Sequence, residues 1–598
     1  MSEAVPLSGR RTGVRRLSAI LAPGALPATV YLAALLLVPI GTLLLYSFYR
    51  SVFFGVEHTL TLDSYREVLS DDLYRTLIVR SIVTALLVSL FTIPIAYALA
   101  YAITFRIRRS VLVLVLLMAP MFASYVVRVF AWVLILGPTG FVNRGLEGVG
   151  VIDEPLRFLL YGRFAVTLTL TTILIPLAML PIYAALQNVP RELIHASRDL
   201  GETPMRTFAR VTLPLTAPAV VASFVFVFLL SGADYLTPQL LGGSSGFLVG
   251  RAIADQFGAG GDLPLGGALS FVTLLALTIV IVAVLGAGRL LVAGLRRLDD
   301  RGGTSGRGAR RGRRPRLRLR IPGWHLLVAA VGLVLYAPLA VVVLMSFSNS
   351  SALPIRSLTF DWYSRVFEAR GFTSAIGTSL LVAAVCVAVA LPIGVPAAFA
   401  LARRSFRLRG LLLGLTGAPL IVPGVVVGVA ILTTLGAFGM LPGFGPTVLA
   451  HIWLGLPFVL LIMHSRLERF DRRVEEAARD LGSSPARALR TVTLPIIAPT
   501  LFATAIIVWV WSMDEFLVSN FIVGTDTTLP VYLYSQLRFG VTPVVNAVAT
   551  LMLLASLVVL GLAAVVFRLV AARRAEAGGQ VESLAGTMAA AHGGAHQA

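Results

Sequence analysis

Long apolar runs separated by short polar segments make up most of this 598-residue chain. About twelve of the runs are near 20 residues long, the length at which a helix crosses a bilayer core of roughly 30 Å. The pattern predicts an all-α integral membrane protein with about twelve transmembrane helices, six in each half. The predicted helices are 22–48, 76–104, 111–136, 164–186, 215–238, 264–293, 323–347, 374–402, 410–436, 447–465, 499–522 and 544–570.

One polar segment between the apolar runs occurs twice. The first copy, "IHASRDLGETPMRTFARVTLP", lies at 194–214, and the second, "EEAARDLGSSPARALRTVTLP", lies 281 residues later at 475–495. We call them the first and second repeat loops. Nearer the N-terminus of each half, "LTLDSYREVL" at 60–69 returns as "LTFDWYSRVF" at 358–367, an offset of 298. The chain is therefore predicted to contain two homologous six-helix halves.

The two offsets predict an insertion in the first half, and the composition predicts the domain boundaries. Because the offset falls from 298 to 281, about 17 extra residues are expected in one loop of the first half, near 137–163. We predict a first half at 1–295, a flexible basic linker at 296–322, a second half at 323–572 and a disordered tail at 573–598. The Gly/Arg-rich linker cannot bury enough apolar surface to fold and is expected near anionic lipid headgroups.

The distribution of arginine sets the expected orientation. The net charge is +21, and 36 of the 50 basic residues lie in the termini and in alternate loops between spans. The remaining loops carry acids such as Asp63 and Asp153. Positive charge marks the cytoplasmic side, so we expect a multi-pass protein of the plasma (inner) membrane with both termini in the cytoplasm. Basic residues interleaved with spans argue against a nucleic-acid partner.

Several kinds of chemistry are missing from the sequence. All 50 basic residues are arginine, and a standard phosphate-binding P-loop requires lysine, so ATP and Mg²⁺ are expected on a partner rather than on this chain. Cys386 is the single cysteine, which excludes a disulfide framework, and the seven histidines form no metal-binding motif. We predict no catalytic residue, no metal site and no cofactor, and therefore a protein that is not an enzyme.

The repeat loops have the local signals of a helix, a turn and a second helix. Helix-forming residues precede Gly201 and Gly482, and "ETP" or "SSP" follows them. Glycine permits the turn, and proline is favoured in the first turn of a helix. A polar helix–turn–helix between membrane spans is where we expect a docking surface for a soluble partner, and an ordinary loop whose arginines only set topology is the alternative. Topology alone does not require the same Ala-x-Arg-Asp-Leu-Gly pattern in both halves.

These loops resemble the EAA loop of permease subunits from binding-protein-dependent ABC importers. The second loop matches throughout, whereas the first has His195 and Ser197 where the family has Glu and Ala. The resemblance implies a type I ABC importer permease fold, two ABC ATPase subunits as partners and an external solute-binding protein. It also assigns the loops to ATPase coupling. The implied coupling residues are Ala196, Asp199, Gly201, Pro214, Glu476, Ala477, Ala478, Asp480, Gly482 and Pro495.

Acidic residues end the fifth predicted span of each half. Asp234 lies in "SGADYLTPQLLGG", and Asp514 and Glu515 lie in "WSMDEFLVSNFIVG", close to Tyr235 and Trp511. Acids within spans usually face a bundle interior or an aqueous path, where a cation can pair with them, and aromatic rings add cation–π attraction. Carboxylates at solvated helix ends and an interfacial aromatic belt are the alternative. The sequence leaves both interpretations open.

The same two stretches indicate a solute. They resemble the first and second permeases of the spermidine/putrescine importers, here joined in one polypeptide. The resemblance implies inward movement of a polyamine by alternating access. Ferric iron, thiamine or a phosphonate-like solute remains open within the same importer class. An ion-coupled secondary transporter with two six-helix halves is the alternative from another class, but it gives no reason for a duplicated EAA-like loop.

Overall fold

A computed structural model describes residues 22–52, 55–258, 261–302, 323–350, 355, 357–538, 540, 542–562 and 565. Within these residues, eleven helices are long and apolar enough to cross a membrane, or twelve if one bent pair counts as a single span. The predicted all-α membrane architecture is confirmed. With the bent pair counted as one span, each half contributes six.

In the part of the first half that the structure describes, there are twelve helices and one β-hairpin. Its helices are α1 (Leu26–Tyr46), α2 (Asp63–Ser70), α3 (Asp72–Phe105), α4 (Ser110–Met118), α5 (Tyr125–Leu136), α6 (Phe141–Gly148), α7 (Arg163–Gln187), α8 (Arg191–Asp199), α9 (Pro204–Thr207), α10 (Leu213–Gly232), α11 (Val249–Phe257) and α12 (Leu263–Gly302). The antiparallel strands are β1 (Tyr49–Val52) and β2 (Gly55–Leu60). Short 3₁₀ turns lie at Ala119–Phe122 and Arg157–Leu159, and π turns at Phe208–Thr212 and Pro238–Gly242.

The second half repeats most of this order. Its helices are α13 (Gly323–Ser346), α14 (Asp361–Glu368), α15 (Phe372–Arg403), α16 (Arg409–Ile421), α17 (Gly424–Ala437), α18 (Phe444–Glu468), α19 (Arg473–Asp480), α20 (Pro485–Ala488), α21 (Leu494–Asp514), α22 (Ser519–Ile522), α23 (Leu529–Leu537) and α24 (Pro543–Leu562). A π turn lies at Leu489–Thr493. The extra loop of the first half contains α6, which has no counterpart in the short connection between α17 and α18.

Equivalent hydrogen bonds recur in the two halves. Ser81 on α3 accepts a hydrogen bond at 2.9 Å from the backbone N–H of Val249, at the start of α11. Ser379 on α15, 298 residues later, accepts one at 2.7 Å from the N–H of Leu529, at the start of α23. Both serines satisfy a backbone donor that the first turn of a helix leaves without an intrahelical partner. The repeat in the sequence is therefore also a repeat in local structure.

The first helix of each half packs against the other half. Helix α1 lies against α15 to α18 of the second half, and the indole N–H of Trp453 donates to the carbonyl of Leu32 at 3.1 Å. Helix α13 lies against α4, α5 and α7 of the first half, and the Tyr336 hydroxyl donates to the carbonyl of Leu116 at 2.7 Å. This exchange interlocks the two halves.

Two helices predicted as continuous are broken. The predicted helix 111–136 is interrupted by the 3₁₀ turn after α4, and the predicted helix 410–436 bends by 102° between α16 and α17. Pro120 lies in the first break and Pro423 in the second. Proline lacks the N–H of the helical ladder and disfavours helical geometry at the residue before it, so both breaks have a local cause.

The fifth spans end earlier than predicted. The predicted helices 215–238 and 499–522 stop at Gly232 and Asp514, and a short helical turn follows each after an irregular segment. In both segments an acidic side chain accepts hydrogen bonds from backbone N–H groups three or four residues further on. Such local side-chain bonds compete with the helical ladder.

The structure also contains a β-hairpin, and one helix extends past a predicted domain boundary. The β-hairpin after α1 was not predicted, because its strands are mostly exposed and carry no alternation of buried and exposed residues. Helix α12 continues to Gly302, beyond the predicted domain boundary at 295. The rest of the predicted linker, 303–322, and the predicted tail lie outside the described residues, so the domain boundaries stay predictions.

Candidate functional site

Each repeat loop has the predicted helix–turn–helix. In the first, α8 is followed by Gly201 with φ of 84°, and Thr203 then caps α9 by accepting a hydrogen bond at 3.3 Å from the N–H of Arg206. In the second, Gly482 with φ of 88° follows α19, and Ser484 caps α20 in the same way. These positive φ angles are the left-handed conformation that glycine adopts at the end of a helix.

The repeat loops expose their surfaces. No residue of α8 or α19 is buried, and the leucine before each glycine is almost fully exposed, Leu200 at 87% and Leu481 at 89%. Both repeat loops therefore present an exposed leucine at the same position, directly before the turn glycine. Ala196 and Asp199 lie on α8, Glu476, Ala477, Ala478 and Asp480 lie on α19, and Pro214 and Pro495 lie in the first turns of α10 and α21.

The second repeat loop carries an ion pair that the first lacks. The guanidinium of Arg403, at the end of α15, contacts Glu475 through two nitrogens at 2.7 and 3.1 Å. The hydrogen bond from Arg403 lowers the pKa of the Glu475 carboxyl below its ordinary value of 4.5, although burial opposes the shift. The equivalent residues of the first half are Ile194 and Phe105, so an apolar pair replaces the ionic one.

A buried cluster joins the two halves at the predicted acids. Tyr125, the first residue of α5, donates from its backbone N–H to Asp514 Oδ1 at 2.8 Å. Its hydroxyl donates to Asp234 Oδ1 at 2.6 Å. Tyr125 therefore contacts an acid from each half. Through Tyr125 the structure links the two predicted acids, Asp234 and Asp514. Tyr125 and Asp514 lie 389 positions apart in the chain.

Asp234 and Glu515 are equivalent residues of the repeat, 281 positions apart, and both bind the backbone that follows them. Asp234 Oδ2 accepts a hydrogen bond at 3.0 Å from the N–H of Thr237. Glu515 accepts bonds from the N–H groups of Val518 and Ser519, at 2.8 and 2.9 Å, and from the Ser519 hydroxyl at 2.6 Å. These contacts match the structural interpretation of acids at helix ends, and they fix the irregular segment after each fifth span.

Asp514 has different contacts. The equivalent residue of the first half is Ala233, and the contacts described above join the Asp514 carboxylate to the first half. Besides Tyr125, its partner is Arg128 on α5, whose Nη2 lies 3.9 Å from Asp514 Oδ2. The sequence analysis missed both Tyr125 and Arg128. The available signal was a lone arginine in the apolar run 110–143, since ionisable residues within spans are typically functional.

The two predicted aromatic residues lie in different places. Tyr235 stacks on Phe516 with ring centres 5.9 Å apart and interplanar angle 28°, which places it at the interface between the halves. Trp511 packs within the second half, against His451 and Phe458, at ring distances of 6.2 and 5.8 Å. Only Tyr235 is therefore placed beside the inter-half cluster by its described contacts.

The space beside the cluster is small. A cavity of about 20 Å³ lies on the Arg128 side, lined also by Trp132 and Pro338. A second cavity of about 30 Å³ lies on the Asp514 side, lined also by Met513 and Met552. Each of these two cavities has room for about one water molecule. Among the described residues, no group of three or more His, Cys, Asp or Glu could hold a metal ion.

The repeated architecture matches a known protein family over most of the chain. The model of the "Binding-protein-dependent transport system inner membrane component" family matches residues 70–297 and again residues 390–574. The chain belongs to this family. It is a transport subunit of an ABC importer rather than an enzyme, and it is a multi-pass protein of the inner membrane. Membership implies a separate ATPase and a binding protein as partners.

Individual relatives correspond in length to one half of the chain. The putrescine transport system permease protein PotI of Escherichia coli K12 is 32% identical over 240 residues, which are 38% of this chain and 85% of PotI. The spermidine/putrescine transport system permease protein PotC of the same strain is 35% identical over 39% of this chain and 88% of PotC. PotB of Salmonella typhimurium is 31% identical over 40% of this chain and 82% of PotB.

A solved structure is also similar. It is a chain from a bacterial ABC transporter involved in the import of the acidic polysaccharide alginate, with a TM-score of 0.33 and 18% identity over 41% of this chain and 94% of that one. The family assignment rests on the two matches of the family model, one in each half.

Proposed function

We propose that this chain forms the membrane pathway of an ABC importer for polyamines of the spermidine/putrescine class, with both permease halves in one polypeptide. The observation that carries the proposal is the contact of Tyr125 with Asp234 and Asp514, one carboxylate from each half. Carboxylates at the surface between the halves complement the ammonium groups of a polyamine. The names of PotI, PotC and PotB support the same solute class.

The repeat loops are the proposed docking points for the ATPase. Each exposes a polar helix and a leucine, and each is held by short local contacts rather than by burial, so each can seat one ATPase subunit. One copy of this chain then binds two ATPase subunits, which hold ATP and Mg²⁺, while this chain needs no cofactor. Closure of the ATPases on ATP acts through Gly201 and Gly482 on α10 and α21 and rocks the halves between inward-open and outward-open states.

The number of spans supports one orientation. With six spans per half, both repeat loops and both termini emerge on one side of the membrane. The arginine distribution favours the cytoplasm for that side, and the external side then receives solute from the binding protein. Anionic lipid headgroups are the expected neighbours of the basic linker.

The test is the ATPase activity of the purified chain reconstituted with its cognate ATPase and binding protein and titrated with spermidine, putrescine, thiamine and ferric iron. Spermidine or putrescine is expected to stimulate hydrolysis only when the binding protein is present. Stimulation by thiamine or ferric iron instead would contradict the polyamine proposal and retain the importer. Transport that continues without any ATPase would contradict the importer itself.

A further inference from the structure

Arg128 and Asp514 form a buried ion pair between the two halves. Arg128 lies on α5 of the first half and Asp514 ends α21 of the second, with side chains only 13% and 22% exposed. Charges are attracted more strongly away from water than in it, because the surroundings screen them less. Any motion that separates the halves at this level must also separate this pair.

Few directed contacts hold the Arg128 guanidinium. Its Nε is buried without a hydrogen-bond partner, and its nearest nitrogen-to-oxygen distance to Asp514 is 3.9 Å, longer than a hydrogen bond. The guanidinium carbon lies 5.8 Å from the centre of the Tyr125 ring. A buried cation is costly to leave unpaired. At this distance Asp514 attracts Arg128 by charge and not through a hydrogen bond, and another cation can supply the same attraction.

The positions equivalent to Arg128 and Asp514 in the repeat carry no charge. Asp514 corresponds to Ala233, 281 positions earlier, and Arg128, the fourth residue of α5, corresponds to Val427, the fourth residue of α17. Both counterparts are buried apolar residues at the same places in their helices. Because both counterparts are uncharged, the repeated fold does not require a charge at either position, and the two charges have a purpose other than packing.

The cavities beside the pair are small. Arg128 lines the cavity of about 20 Å³ and Asp514 lines the cavity of about 30 Å³. Neither has room for more than about one water molecule. A solute that passes between the halves must widen this region, and widening it pulls Arg128 away from Asp514.

We infer that Arg128 is an internal cation that neutralises Asp514 while the path is closed, and that an ammonium group of the solute takes its place when the halves separate. This inference rests on the proposed function. Without a cationic solute, separation leaves both charges unpaired, so the closed state is favoured and ATP is not wasted. With a cationic solute, Asp514 is paired in both states, and separation leaves only Arg128 without its partner. Neutral or anionic solutes cannot make this exchange, which gives the pathway a preference for cations.

The test compares variants of the reconstituted complex with ATPase and binding protein, measured first without solute. Arg128→Gln and Asp514→Asn each leave one buried charge unpaired in the closed state. Each is expected to raise basal ATP hydrolysis by roughly fivefold or more, the lower end of typical coupling between two states. Arg128→Lys keeps the charge and is expected to remain near wild type. The double variant R128Q/D514N leaves no unpaired charge and is expected to have a lower basal rate than either single variant.

Arg251→Gln is the matched control, because the ion-pair partner of this partly buried arginine, Asp255, lies on its own helix. Unchanged basal hydrolysis in stably inserted R128Q and D514N, or a double variant whose effect is the sum of the two, would overturn the inference. If R128Q does not insert, D514N alone carries the test. A wild-type complex without polyamine stimulation would contradict the proposed solute, while the basal rates would still decide the role of Arg128.

Discussion

At the scale of single residues, the three acids at the ends of the fifth spans have different hydrogen-bond partners. Asp234, Asp514 and Glu515 all end fifth spans, and two of them bind their own backbone while Asp514 binds the first half. Which of two neighbouring acids faces the other half depends on how the chain turns after α21. The contact between Tyr125 and Asp514 could not be predicted either, because no local sequence pattern links residues 389 positions apart.

The Arg403–Glu475 pair predicts a difference between the two repeat loops. Glu475→Gln removes the carboxylate, and a two-nitrogen arginine contact of this partly exposed kind contributes about 1 kcal/mol. Hydrogen exchange of α19 is therefore expected to accelerate roughly fivefold at pH 7, since about 1.4 kcal/mol corresponds to tenfold. The exchange of α8 is the internal control, because Ile194 and Phe105 occupy the equivalent positions.

The same pair has a defined pH dependence. The folded-state pKa of Glu475 lies below its ordinary value of 4.5, so the charged form stabilises the loop. The contribution is complete above pH 4.5 and is lost as the pH falls through the lowered folded-state pKa. The difference in exchange between wild type and Glu475→Gln should therefore shrink below about pH 4.5. A difference that stays constant down to pH 3 would contradict the ion pair as its cause.

The turn glycines predict a second effect at this scale. A Cβ at Gly482 meets no atom within 4 Å, so Gly482→Ala adds only the strain of a positive φ, about 1–2 kcal/mol. We expect weaker binding of the ATPase and lower stimulated hydrolysis, with a larger loss in the double variant Gly201→Pro with Gly482→Pro. Gly410→Ala is the control, since Gly410 lies in α16 without a positive φ and is equally open. Full uptake by the stably inserted double variant would contradict the coupling role.

At the scale of elements, the number of spans was predictable and the breaks were not. Apolar length alone determines whether a helix crosses a bilayer, and it gave twelve segments that the structure reproduces with one bent pair. Proline marks the breaks near Pro120 and Pro423, yet Pro94 and Pro392 lie inside α3 and α15 without ending them. Neighbouring helices decide between these outcomes, because they can satisfy the backbone groups that proline leaves free.

A histidine side chain supports the irregular segment after α21, and its removal is expected to destabilise the protein. His451 on α18 lies between Ser512 and Ser519, at 2.7 and 2.8 Å, and so spans the break. Its counterpart in the first half is Leu170. His451→Leu leaves buried hydroxyl groups without this partner and is expected to cost about 1–3 kcal/mol. A lower melting temperature of the purified protein measures the loss, and Leu170→Met, which keeps an apolar side chain, is the control. An unchanged melting temperature for His451→Leu would contradict the supporting role.

At the scale of the molecule, the repeat predicted two halves, and the structure adds that they exchange their first helices. Comparing the sequences of the two halves identifies equivalent positions. It does not show whether the first helix of a half packs on its own half or on the other, so the exchange was not predictable. Helix α1 packs against the second half and α13 against the first, so we expect the halves to stay associated without the covalent connection between them.

Cutting the chain tests this interlocking. A protease site inserted between Gly302 and Gly323 is expected to yield two fragments that remain together during purification in mild detergent and retain solute-stimulated ATP hydrolysis. The uncut protein with the same insertion is the control. Fragments that separate without denaturant would show that the exchanged helices do not hold the halves together.

The stoichiometry of the complex is predicted at the same scale. Because one chain supplies both repeat loops, the mass of the assembled transporter should equal one copy of this chain with two ATPase subunits. Mass photometry of the purified complex measures it directly. A complex with two copies of this chain and two ATPase subunits would contradict the proposal that one copy forms the pathway.

The most direct test of the account is uptake of radiolabelled spermidine by proteoliposomes that contain this chain and its ATPase, with the binding protein outside and ATP inside. The account predicts uptake that requires both internal ATP and the external binding protein and that Asp514→Asn reduces. Spermidine uptake without ATP, or ATP hydrolysis coupled to another solute with no spermidine uptake, would contradict ATP-driven polyamine import by this chain.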